Sequence, residues 1–172
     1  MTKKQFSLGC GPYRGPDPTV ELHTIRESDQ SALRTWKNQN HQFFFFKELI
    51  SESAQQEWFA KYLMRDGDYM FIVQAEECSI GCMGIRILED TWDVYNVILG
   101  ELKFAKRGYM RQALQMMCSW AAELRPMRIS AKVLKNNPAI NWYCRNGFKV
   151  VSTHADHVEI EWDGAAFIGG SR

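Results

Sequence analysis

Between Tyr95 and Val133 the chain runs strand, glycine turn, helix, strand, and few folds admit that order. Tyr95-Asn96-Val97-Ile98-Leu99-Gly100 reads as a strand, followed by the basic segment Lys103-Phe104-Ala105-Lys106-Arg107-Gly108. From Arg111 to Glu123, Ala113, Leu114, Met117, Trp120 and Ala121 recur at helical spacing. Arg128 to Val133 alternates again as a strand. A helix between two strands of one sheet makes them parallel. The turn also has chemical content. The first N–H groups of a helix lack partners inside it and carry partial positive charge, so a pyrophosphate fits there while Lys106, Arg107 and Arg111 add full charges. Gly108 lets the ligand approach the backbone.

The rest of the chain supplies a sheet around this unit. Gly9, Gly11, Pro12, Gly15, Pro16 and Pro18 crowd residues 1–18, which read as a flexible or wrapping arm ahead of a single domain over 19–172. Val20 to Ile25 alternates as a strand. Ser28 is the expected N-cap of a helix over 29–38, with Ala32, Leu33 and Trp36 on one side, and Ser53 the start of a helix to Met64, with Trp58, Phe59 and Tyr62 inward. Between them, Phe43, Phe44, Phe45 and Phe46 cannot all face one core; they form either a turn packed across two sides or a cover over a ligand or partner. Tyr69–Gln74 and Ser79–Leu88 read as a hairpin. After Val133, Asn136-Asn137-Pro138 caps a helix from Ala139 to Arg145, stopped by Asn146-Gly147. Phe148–Val151 and Val158–Trp162 close the sheet as an antiparallel pair.

Composition excludes several classes. With 45% hydrophobic and 24% charged residues in 172, the chain is an ordinary globular domain rather than a disordered one. A net charge of +1 argues against nucleic acid as partner. No apolar run reaches the ~20 residues of a membrane span, and no apolar block follows Lys3 and Lys4, so no membrane association and a cytoplasmic location are expected. Cys10, Cys78, Cys82, Cys118 and Cys144 form no C-x-x-C pair; most should be buried, with Cys10 the exposed thiol. His23, His41, His154 and His157 are scattered without metal-ligand spacing, so no metal is expected.

With these elements in order, residues 20–162 resemble the GNAT family of N-acetyltransferases. The family's pyrophosphate signature, Gln/Arg-x-x-Gly-x-Gly/Ala, falls on Ala105-Lys106-Arg107-Gly108-Tyr109-Met110, with Ala105 and Met110 as departures. Gly-Tyr-Met-x-x-Ala-Leu, as in the branch with ribosomal-protein alanine acetyltransferases, is kept at 108–114. Asn136 to Phe148 matches the family's Asn-x-x-Ala-x-x-x-Tyr-x-x-x-Gly-Phe at Asn136, Ala139, Tyr143, Gly147 and Phe148. Trp36-Lys37-Asn38 and the stretch from Ile50 to Trp58-Phe59 resemble acetyltransferases acting on nucleotide-linked amino sugars, which often carry His where Gln55 stands; the alternative is that Trp36 and Trp58 only pack two helices together.

The resemblance implies an α/β (α+β) GNAT fold: a mixed, mostly antiparallel sheet, one splayed parallel pair and flanking helices. It implies acetyl-CoA as cosubstrate, held by the strand backbone at Leu99, Gly100 and Glu101, by the cradle from Ala105 to Arg111, and by Asn136, Ala139 and Tyr143. An N–H near 99–101 would polarise the thioester carbonyl. Tyr143 would protonate the leaving thiolate, with Glu101 or Glu48 as candidate base. Trp36, Asn38, Phe46, Glu48 and Tyr95 are assigned to the acceptor. The acceptor is a primary amine of a small molecule, with a nucleotide-linked amino sugar as the narrower expectation; the alternatives are a protein N-terminus or a non-catalytic CoA-binding or interaction module. Relatives of this kind often form homodimers.

Overall fold

In a computed structural model of the chain, residues 5–9 and 19–164 are described. They form an eight-stranded open sheet in the order β1-β2-β3-β4-β5-β6-β8-β7. The strands are β1 (Ser7–Gly9), β2 (Val20–Thr24), β3 (Asp68–Ala75), β4 (Cys78–Leu88), β5 (Thr91–Leu99), β6 (Arg128–Leu134), β7 (Phe148–Thr153) and β8 (His157–Trp162). Helices α1 (Gln30–Gln39) and α2 (Glu52–Leu63) precede β3, α3 (Tyr109–Leu124) links β5 to β6, and α4 (Ala139–Arg145) precedes β7.

Successive side chains of a strand point to opposite faces, and β3 shows what each face receives. Met70 and Ile72 join Ile25, Leu33, Trp36, Phe59 and Tyr62 beneath α1 and α2. Phe71 and Val73 join Leu22, Ile80, Met83 and Ile85 beneath α3, which contributes Ala113, Leu114, Met117, Cys118 and Ala121. The central strands are thus buried on both faces, which is why they read as apolar runs rather than clean alternations.

β5 and β6 are the one parallel pair, as the intervening helix requires. They touch only at Thr91–Arg128, Trp92–Ile129 and Asp93–Ser130. Beyond Asp93, β5 stays with β4 and β6 turns to β8, so the two edges diverge and a cleft opens between them. A register shift between Cys82 and Gly84 places a bulge opposite, in β5. There Asn96 adopts the left-handed backbone, at φ 49°.

Several element boundaries differ from the sequence expectation. Residues 7–9 add a strand antiparallel to β2, anchored by Phe6 packing at 5.8 Å on Phe71 and 5.5 Å on Trp120; breaker density hid it, and 10–18 lie outside the described residues. Ser28 falls inside a 3-10 turn, Glu27–Asp29, where Asp29 accepts the Arg26 N–H at 2.7 Å. Ser51, not Ser53, caps α2, its Oγ accepting the Ala54 N–H at 3.1 Å. Trp58 is half-buried rather than inward, stacked at 5.4 Å on Tyr62. β5 begins at Thr91, four residues early, because the two-residue turn Glu89-Asp90 joins it directly to β4. Cys82 and Cys118 are buried and Cys78 is half-buried, but Cys144 is exposed. No helix of the described residues is long and apolar enough to cross a membrane.

Candidate active site

The cleft left by the splay holds a groove of about 320 Å³ against the start of α3. Gly108 precedes α3 in the left-handed region, at φ 83°, where a side chain would be strained. Lys106 is also left-handed, at φ 62°, and the first turn of α3, whose N–H groups lack partners within the helix, borders the groove. Leu99, Ala105, Lys106, Gly108, Tyr109, Met110 and Arg111 line it from this side, and Ala139 and Tyr143 from α4. Ala105 and Met110 are therefore compatible with a cradle made of backbone.

Four residues expected at the cofactor stand elsewhere. Arg107 pairs with Glu76 at 3.3 Å, and Tyr109 hydroxyl donates to the same carboxylate, so the pair braces the turn against the β3–β4 hairpin. The N–H groups of Gly100 and Glu101 both donate to Ile80 O, at 2.9 and 3.0 Å. They are used within the sheet rather than left free for the thioester carbonyl, and the bulge lies three to five residues before them. There β5 has no ladder partner toward β6, and Val97 lines the groove. Asn136 is exposed and reaches Gln42 O at 3.5 Å. Its neighbour Asn137 accepts the Ala139 N–H at 2.9 Å and donates to Phe43 O at 3.4 Å, tying the start of α4 to the phenylalanine segment.

Tyr143 lines both the groove and a second cavity of about 460 Å³ that continues through the splay to the α1–α2 side. Its ring packs at 5.3 Å on Phe148, and burial, helped by Cys118 and Asp93, raises its phenol well above the usual range. The second cavity is walled by Phe43, Phe44, Phe45, Phe46 and Trp58 and carries the cations Lys37, Arg65, Arg86 and Lys132. Arg86 holds Asp93 at 2.9 Å and stacks 4.6 Å from the Tyr95 ring. Tyr95 donates its hydroxyl to Asp68, and Arg65 sits 3.4 Å from the same carboxylate. Phe45 and Phe46 are more than half exposed, as a cover over a cavity would be.

Of the acceptor residues expected from sequence, Phe46 and Tyr95 line this cavity. Trp36 does not; it is 4% exposed and fills the space over Gly100, where an added Cβ would meet the indole at 2.2 Å. Asn38 exchanges two hydrogen bonds with Ile50, at 3.0 and 2.8 Å, clamping the two ends of the segment between α1 and α2. Glu48 and Glu101, the expected bases, are exposed and line none of these cavities.

Lys37 lies between Trp36 and Asn38, the two residues of α1 that the sequence assigns to the acceptor, and is itself at the cavity. It lies one turn after Leu33 and so shares its inward side, the one sequence signal that could have found it. It lines both the second cavity and a third, apolar one of about 350 Å³ walled by Leu33, Ile50, Trp58 and Ile98. It donates to Asn96 Oδ1 at the bulge and stands 3.1 Å from the Phe44 ring centroid. Burial pulls its pKa down to about 7, only slightly countered by Cys82. The fold also gathers two of the scattered histidines: ligand atoms of His154, His157 and Glu159 lie within 4.8 Å of one another on the β7–β8 hairpin.

A splayed parallel pair, a left-handed glycine before a helix and a buried tyrosine lining the cleft are the features that the resemblance to the GNAT family led one to expect. Residues 19–149 match the Acetyltransferase (GNAT) domain, and the chain belongs to that family of acetyltransferases, which use acetyl-CoA. No curated protein matches by sequence. Among solved structures, the chain is similar to FdhC, a nucleotide-linked sugar GNAT, with TM-score 0.73 and 15% identity over 86% of this chain and 88% of that one. It is similar to RimL, a ribosomal L7/L12 alpha-N-protein acetyltransferase in complex with coenzyme A, with TM-score 0.66 and 17% identity over 83% and 90%. A domain from Methanocaldococcus jannaschii DSM 2661 superposes with TM-score 0.72 and 18% identity over 84% and 99%. At these identities the likeness is one of fold.

Proposed function

We propose that this protein transfers the acetyl group of acetyl-CoA to the primary amine of a nucleotide-linked amino sugar. The observation that carries this is the second cavity, where phenylalanines and Trp58 stand beside Arg65, Arg86 and Lys132 on the far side of Tyr143 from the cofactor groove. Aromatic faces suit a nucleobase, guanidinium and ammonium groups suit a diphosphate, and the volume of about 460 Å³ suits a small molecule. A polyamine would want carboxylates, and Asp93 is the one acid among the residues lining the cavity, against the four basic residues Lys37, Arg65, Arg86 and Lys132.

Acetyl-CoA would lie in the splay, its pantetheine amides pairing with the free edge of β5 and its pyrophosphate on the N-terminus of α3, with Lys106 and Arg111 beside it. An N–H of β5 near Val97, where the strand has no ladder partner toward β6, would polarise the thioester oxygen. Tyr143 keeps its proton until negative charge develops on sulfur, then donates it. Thiol release from acetyl-CoA, followed over UDP- and dTDP-linked amino sugars, free amino sugars, spermidine and N-terminal peptides, tests the assignment. Release with nucleotide-linked amino sugars above all others is the expected result. Preference for a peptide would move the acceptor to a protein N-terminus, and no release with any amine would leave a CoA-binding module.

A further inference from the structure

We propose that Lys37 is the general base of the transfer, taking the proton that the acceptor amine loses as it attacks the thioester. The proposal rests on the acyl-transfer reading above and assigns it a residue. Four observations carry it. Lys37 lines the second cavity together with Tyr143, so the residues proposed as base and acid border one space. It is held in place by donation to Asn96 Oδ1, and the next residue, Val97, lines the cofactor groove as well as the cavity. Among the described residues, Asp93 is the one carboxylate lining the cavity and is paired with Arg86 at 2.9 Å, while Glu48 and Glu101 are exposed outside the cavities. The groups beside the amine that favour its charged form, the Asn96 amide, the Phe44 ring and the Cys82 thiol, carry no formal charge, and burial outweighs them.

The groups packed around it make that last point concrete. From β4 comes the Cys82 thiol, which burial pushes up to about 12, so it is neutral at pH 7. From β5 comes the Asn96 amide, from the phenylalanine segment the Phe44 ring, and from α2 the buried Gln55. The charged groups sharing the cavity are paired, Arg65 with Asp68, Arg86 with Asp93 and Lys132 with Glu159, so burial is what favours the free amine. With its pKa near 7, about half of Lys37 is unprotonated at neutral pH, where a base works best.

The step balances. The amine nitrogen forms a bond to the thioester carbonyl carbon, the C–S bond breaks, Lys37 takes a proton from nitrogen, and the thiolate takes one from Tyr143. Exchange with water then returns a proton to Tyr143 and removes one from Lys37.

The test compares wild type with Lys37→Arg and Lys37→Met, using the best acceptor found above. Arg keeps a donor for Asn96 but does not deprotonate. If Lys37 is the base, kcat/KM falls in both variants by ~10²–10⁴-fold, acetyl-CoA affinity is unchanged, and the wild-type inflection near pH 7 disappears. Wild-type turnover in Lys37→Arg, or an unaltered inflection in either variant, would overturn the assignment. Competitive labelling with acetic anhydride, read by mass spectrometry, needs no acceptor. Lys37 should become reactive at a lower pH than exposed Lys103 and Lys135, and reactivity in step with them would sink the proposal. If no nucleotide sugar turns over yet Lys37 labels near neutrality, the acceptor assignment fails and the base stands.

Discussion

A phenol serves as an acid only while it keeps its proton, and for Tyr143 burial ensures that it does. Tyr143→Phe keeps the ring against Phe148 at 5.3 Å and removes only the hydroxyl. Steady-state kinetics should show kcat lowered by ~10²–10⁴-fold with thermal stability nearly unchanged; undiminished kcat would take Tyr143 out of the chemistry. Lys37 has a second, thermodynamic signature. Its folded pKa of about 7 lies below the model-compound value of 10.5, so between those values the unfolded chain binds more protons and stability rises with pH. Lys37→Met removes that dependence. Its Tm advantage over wild type should be largest below pH 7 and close as pH rises toward 10.5, which paired melting curves would reveal. Tyr143 was legible in sequence because a spaced motif surrounds it. Lys37 was not, because what makes it chemical is burial against Asn96 and Phe44, residues 59 and 7 positions away.

The elements that matter most are two that fail to pair and one segment that is clamped. The parallel order of β5 and β6 follows from the helix between them, but the length of their contact does not. It ends at Asp93–Ser130 because β6 finds a better partner in β8 and β5 is bulged at Asn96, both tertiary facts. The phenylalanine segment was ambiguous in sequence for a similar reason. It is held at its ends by Asn38 with Ile50 and in its middle by Asn137 with Phe43, contacts that span 12 and 94 residues. Asn38→Ala removes both bonds to Ile50, a loss of about 1–3 kcal/mol at ~0.5–1.5 each. If this segment covers the acceptor, the KM for the acceptor should rise severalfold while acetyl-CoA affinity holds. An unchanged acceptor KM would mean that the segment is only a packed turn. For Trp36 the sequence left acceptor contact and helix packing open, and the structure packs its indole on Gly100.

At the scale of the whole molecule, the sheet divides the work: α3 and α4 present the cofactor groove on one side, and α1, α2 and their connection wall the cavity on the other. The opening between β5 and β6 lets the two communicate at Tyr143. Most of this order could be read from the chain, since strand and helix periodicities and two glycine-marked turns define it. The N-terminal strand could not, because it is short and held by side-chain packing of Phe6 rather than by any pattern of its own. The central claim is that the splay and the Gly108 turn hold acetyl-CoA, and thermal unfolding with and without acetyl-CoA tests it most directly. A ligand at about 100 times its Kd adds ~2.7 kcal/mol of stability. Wild type and Tyr143→Phe should both show that gain. Gly108→Glu, which forces a charged side chain into a left-handed position at φ 83° beside the expected pyrophosphate, should lose it. No stabilisation of wild type, or equal stabilisation of Gly108→Glu, would contradict the account.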